Sequence, residues 1–211
     1  MTGTFSASGR AALAGLLAAA VSLLSSCSSP SLADLSGVLR TPPPLVADAS
    51  LPDVSRGGTD FSFRAEPGEI LVVYFGYTSC PDICPTTLAD LRLALGDLGA
   101  DGDRVEVAVV TVDPFRDTDE VLAGYVQAFI PDGHALRTAD TDRLTDVAEA
   151  FGAGYQLTMN ESGEVVDVAH TAFLYAVDEE GRLQVSWPFG VSAADLGADL
   201  EILLANSASD A

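Results

Sequence analysis

Two cysteines, Cys80 and Cys84, stand four apart in the stretch YTSCPDICPTT, residues 77–87, and a proline follows each. A C-x-x-C redox pair has two residues between its thiols; this pair has three. On a helical turn, side chains four apart lie about 5–6 Å from one another at Cβ, so both sulfurs can be aimed at one ion. The same two thiols can instead work as a redox-active disulfide, because thiolate is both the metal ligand and the attacking nucleophile. A helix is expected to begin near Pro85, a residue suited to a first turn, and its N-terminus should lower a nearby thiol pKa. That expectation serves either chemistry. Two thiolates favour soft or borderline ions such as Cu(I), and an imidazole would also accommodate Cu(II).

The elements around the pair are legible from periodicity. ILVVYFGY, residues 70–77, is apolar on both faces, as a buried central strand requires, and delivers the thiols to its C-terminal end. Leu88, Leu91, Leu95 and Leu98 then recur at helical spacing from Thr86 onward. VEVAVVTV, residues 105–112, reads as a second buried strand. Asp117, with Glu120 three residues later, reads as the N-cap of a helix running to about Phe129. A further helix spans about Thr141–Phe151 and stops at Gly152 and Gly154. Residues 171–177 and 182–187 form a hairpin about the turn Asp178-Glu179-Glu180-Gly181, and a last helix follows from Ser192 to about Asn206. This order gives an α/β three-layer sandwich of thioredoxin-like type, a central mixed sheet flanked by helices.

The chain has two histidines. His170 stands just before the apolar hairpin strand, whose edge in such a fold lies beside the thiol loop. His134, in PDGHALR, is expected to be an ordinary surface residue in a loop between helices. Asp113, at the end of the second central strand, points toward the thiol end of the sheet. It either supports a ligand or partner there or caps its own loop. Trp187 and Phe189 are expected to pack in the core or at its edge.

At 211 residues and 48% hydrophobic content, the chain can bury one good-sized core. It carries 31 acidic residues against 10 basic ones, all arginine, for a net charge of −21, which argues against nucleic-acid binding. Arg10 followed by the apolar run Ala11–Leu24 fits a secretory signal and is short for a membrane-spanning helix, which needs roughly 20 residues. Leu24-Ser25-Ser26-Cys27 resembles a bacterial lipobox, which implies cleavage before Cys27 and lipidation of that thiol. Lipid on Cys27 would leave the other two cysteines as a pair. The expected organisation is therefore a lipoprotein signal peptide over 1–26, a lipidated cysteine with a Pro/Ser/Ala-rich tether over 27–50, the folded domain over 51–206 and a flexible tail over 207–211. The corresponding location is outside the cytoplasmic membrane, held to its outer face by lipid.

The segment Tyr74–Leu88 resembles the signature of the Sco/SenC family, copper chaperones that serve the binuclear copper (CuA) centre of cytochrome c oxidase. The likeness continues through Val112-Asp113-Pro114-Phe115-Arg116-Asp117-Thr118, Ala150-Phe151-Gly152 and His170, and so covers about residues 59–205. The resemblance implies a copper site made by Cys80, Cys84 and His170, with the oxidase copper-site subunit as client. Other exported copper chaperones or thiol reductases are further partners it implies. In place of the acidic residue that many relatives carry directly before the ligand histidine, this chain has Ala169. On this reading the protein is a metallochaperone and not an ordinary enzyme. The alternative is a thiol–disulfide oxidoreductase that reduces the CuA-site cysteines through Cys80 and Cys84. A peroxidase of the same fold is disfavoured, because Thr78 stands two residues before Cys80 where the peroxidase pattern needs three.

Overall fold

The computed structural model describes Gly3 and residues 31–207. Apart from Gly3, the expected signal peptide, with Cys27 and the last four residues, lies outside the described residues. Among those described, no helix is long and apolar enough to cross a membrane.

The strands are β1 Val38–Leu39, β2 Ser50–Asp53, β3 Thr59–Ser62, β4 Ile70–Gly76, β5 Val105–Thr111, β6 His134–Leu136, β7 Tyr155–Met159, β8 Val165–His170, β9 Phe173–Val177 and β10 Leu183–Pro188. The helices are α1 Ile83–Asp97, α2 Asp119–Phe129, α3 Thr141–Phe151 and α4 Ala193–Ser207. Eight strands form one mixed sheet in the order β1-β10-β9-β4-β5-β6-β2-β3, while β7 and β8 pair separately. β4, β5 and β6 run parallel, and the other pairings are antiparallel.

The central strand explains the three layers. Successive side chains of a strand face opposite ways. Ile70, Val72 and Tyr74 therefore enter the core under α1, α2 and α4, while Leu71, Val73 and Phe75 enter the core under α3. β5 alternates likewise, sending Val107 and Val109 to the first face and Ala108 and Val110 to the second. Each fully buried aliphatic side chain contributes roughly 1.5–3 kcal/mol relative to exposure. Two apolar faces hold both helical layers to one sheet. The thioredoxin-like α/β arrangement read from the sequence is the one observed.

Four local expectations are corrected. Residues 31–50 are docked where a free tether was expected. β1 pairs with β10, the Val46 amide donates to the Gly181 carbonyl at 2.8 Å, and Ser36 and Gly37 donate their amides to buried Asp199 at 2.9 and 2.8 Å. Asp199 also takes the Trp187 indole at 2.7 Å. A Cβ on Gly37 would stand 2.5 Å from Trp187 Nε1, so this approach needs glycine. Second, the cap of α2 is Thr118, which accepts from the Val121 amide; Asp117 turns inward instead. Third, α1 begins at Ile83, ahead of the expected start near Pro85, which draws Cys84 into its first turn. Fourth, His134 is a buried strand residue, with Nδ1 2.6 Å from Asp53 and Nε2 2.7 Å from Glu106. Of the two aromatics expected to pack, Trp187 is buried and Phe189 is exposed.

Candidate metal centre

β4 ends at Gly76, and the chain turns through residues 77–82 into α1. The turn is built by buried Asp117. Its carboxylate takes the Thr78 amide, the Thr78 hydroxyl at 2.5 Å and the Thr111 hydroxyl at 2.5 Å, tying the thiol loop to the end of β5. Cys80 in this loop and Cys84 in the first turn of α1 are free, buried thiols. The Cys84 amide, at the start of α1, donates to the Cys80 sulfur at 3.3 Å.

The third group arrives from an element the sequence reading missed. β7 and β8 form a hairpin over residues 155–170, and His170 closes it, paired in register with Tyr155. The alternation Tyr155, Leu157, Met159 and the turn Asn160-Glu161-Ser162-Gly163 are its sequence signal. His170 Nε2 lies 3.7 Å from Cys84 Sγ. Ligand atoms of Cys80, Cys84 and His170 all fall within 4.8 Å of one another, the one such group among the described residues. Donor separations of that order suit a shared ion with bonds near 2.0–2.3 Å. Two thiol sulfurs and an imidazole form a donor set for copper in either common oxidation state.

The surroundings set the protonation of these groups. Burial lowers the His170 pKa, and its bond to the Thr171 carbonyl offsets this only in part, so the ring stands ready as a neutral ligand. Burial also pushes the Cys84 thiol up to about 12, outweighing its hydrogen-bond donors. Metal must displace its proton, so uptake releases acid. Tyr74 and Tyr77 make T-shaped contacts with the imidazole, with centroids 6.3 and 5.7 Å away. A Cβ on Gly76 would stand 2.6 Å from Tyr74 Cε1 and 3.2 Å from Cys84 Sγ, so glycine there keeps room for the sulfur.

Asp113 does reach this end of the sheet, but it does not touch a ligand. It is fully buried and pairs with the Arg116 guanidinium, while the imidazole Nδ1 faces the Thr171 carbonyl at 3.3 Å. His134 belongs elsewhere, at the start of β6 beside Asp53 and Glu106.

The model of the SCO1/SenC family matches residues 54–205, well over half of the chain. The chain belongs to the SCO1/SenC family. It is 31% identical over 144 residues to the SCO2-like protein RP587 of Rickettsia prowazekii, covering 68% of this chain and 70% of that one. Among solved structures it resembles copper-bound ScoI of Bradyrhizobium japonicum at 27% identity and a TM-score of 0.61, covering 75% of this chain and 96% of that one. The fold is shared with BsSco, described as a Sco-family cytochrome c oxidase assembly protein with a disulfide switch, at 18% identity and a TM-score of 0.59 over 77% of this chain and 95% of that one.

Proposed function

We propose that this SCO1/SenC protein carries copper on Cys80, Cys84 and His170 and delivers it to the CuA site of cytochrome c oxidase during assembly. The observation that carries the reading is the meeting of two thiols and one imidazole within 4.8 Å, from elements 86 residues apart in sequence. The copper-bound Bradyrhizobium relative and the oxidase-assembly description of BsSco support it. The oxidase copper-site subunit is the proposed client, with exported copper chaperones or thiol reductases acting before transfer. The Leu24–Cys27 motif supports an exported protein held by lipid on Cys27 to the outer face of the cytoplasmic membrane.

A second reading uses the same thiols. Cys80 and Cys84 are both free, and the Cys84 amide touches the Cys80 sulfur. A dithiol so placed can pass two electrons and two protons to a client disulfide and become a disulfide itself. Oxidation would remove both sulfur donors, so copper carriage and disulfide reduction exclude each other at any instant. The discriminating experiment incubates the copper-loaded, reduced protein with an apo fragment of the oxidase copper site. Metallation of the fragment supports delivery. Reduction of the fragment's disulfide without copper transfer, unchanged in His170→Ala, would replace the first reading with the second.

A further inference from the structure

His170 sits at the end of a two-stranded hairpin that lies outside the main sheet. A ligand on such an element needs something to fix it relative to the thiols. Among the described residues no carboxylate of the kind that commonly orients a metal-binding imidazole bonds this one: Ala169 precedes the ring, and Nδ1 meets the Thr171 carbonyl.

Arg116 occupies the gap between the two halves of the site. Its Nε donates to Oδ2 of Asp113, a fully buried carboxylate whose Oδ1 has no partner among the described residues. Its guanidinium carbon lies 5.8 Å from the centre of the Tyr77 ring, in cation–π range, and that ring makes a T-shaped contact with His170, centroids 5.7 Å apart. Its Nη1 reaches, at 3.5 Å, the carbonyl of Val165, the first residue of the strand that ends in His170. One planar cation therefore touches the β5–α2 loop, the thiol loop and the histidine hairpin. A guanidinium suits this task because it is always charged and holds its donors in a rigid fork. Asp113 is buried and, among the described residues, pairs with no other cation, so it anchors the arginine.

We infer that Arg116, held by Asp113, is a positioning residue that fixes the His170 hairpin against the thiol loop and so sets imidazole coordination of the metal. This rests on the three-ligand reading above and adds the residue that keeps the third ligand in place. It also gives Asp113 a part in the site without ligand contact.

The test compares the wild-type protein with Arg116→Gln, Arg116→Lys and His170→Ala. In the metal-free, reduced state, amide exchange at Val168–His170 should be about tenfold faster in Arg116→Gln while β4 and β5 keep their protection. With Cu(II) bound, nitrogen coupling in the electron paramagnetic resonance spectrum should weaken while thiolate-to-copper absorption persists, and affinity should fall about 10–100-fold. Arg116→Lys keeps the charge and loses the fork. It should restore solubility and folding if the glutamine variant fails, yet still show the faster hairpin exchange. Wild-type exchange and nitrogen coupling in both folded arginine variants would overturn the inference. If His170→Ala alone weakens binding, only the role of Arg116 fails; if His170→Ala binds as the wild type does, the three-ligand reading fails with it.

Discussion

Gly76 shows how narrowly single residues constrain the centre. Alanine there drives a methyl into Tyr74 and toward the Cys84 sulfur, at 2.6 and 3.2 Å. Overpacking of this kind costs typically 1–3 kcal/mol, so Gly76→Ala should melt lower and bind copper more weakly. An unchanged melting temperature with unchanged affinity would show that the strand end yields freely. His134 supplies the pH dependence. Burial pushes its pKa down, but the hydrogen bonds to Glu106 and Asp53 outweigh this and hold it above 6.5. Burial likewise opposes ionisation of Asp53, and the bonds from Ser55 and His134 overcome it, leaving its pKa below 3.8. A raised histidine contributes its full stability below 6.5 and loses it as pH rises through the folded value. A lowered aspartate contributes above 3.8 and loses it as pH falls through the folded value. The stability gap between wild type and His134→Gln should therefore be widest between about pH 4 and 6.5 and shrink in alkali. Denaturant melts at pH 5 and pH 9 check this, and equal gaps at both would contradict the bracketed imidazolium.

Secondary elements differ in how much of themselves they show in sequence. β4 and β5 were legible because strands buried on both faces need unbroken apolar runs, and the cysteine pair follows β4 directly. β7 and β8 were missed because one side of the hairpin faces water, so its signal is a short alternation beside polar residues. His134 was misread for a different reason. A three-residue strand carries little pattern, and the carboxylates that bracket its side chain come from Asp53, far upstream, and Glu106 on the neighbouring strand. Asp117 looked like a helix cap, yet its partners Thr78 and Thr111 exist only once the thiol loop meets β5. The docked N-terminal segment was hidden behind its Pro- and Ser-rich composition. Its anchor is Asp199, and Asp199→Ala would leave the Trp187 indole and two amides without their acceptor. Each buried donor left unsatisfied costs about 1–3 kcal/mol. Proteolysis should then cut within residues 31–45 at concentrations that leave the wild type whole; equal resistance would show that β1 holds the segment without Asp199.

Across the molecule, Leu32 and the thiols lie at opposite ends of β4. Leu32 borders the same surface cleft as Ile70, the first residue of β4, and Asn206 and Ser207 at the end of α4. Cys80 and Cys84 follow the other end of β4. A lipid on Cys27 would therefore hold the protein by the end remote from its metal ligands, leaving the site free to meet a client. Cys27→Ser should move the protein from the membrane fraction to the soluble fraction with its copper affinity intact. Continued membrane retention would refute the anchor.

The central claim is that Cys80, Cys84 and His170 together bind copper. Its most direct test is a copper titration of the reduced protein, followed through thiolate-to-copper absorption, for the wild type, His170→Ala and His134→Ala. One copper per chain is predicted for the wild type and for His134→Ala with similar affinity, and orders-of-magnitude weaker Cu(II) binding for His170→Ala. Wild-type affinity in His170→Ala, or an equal loss in His134→Ala, would contradict the three-ligand site.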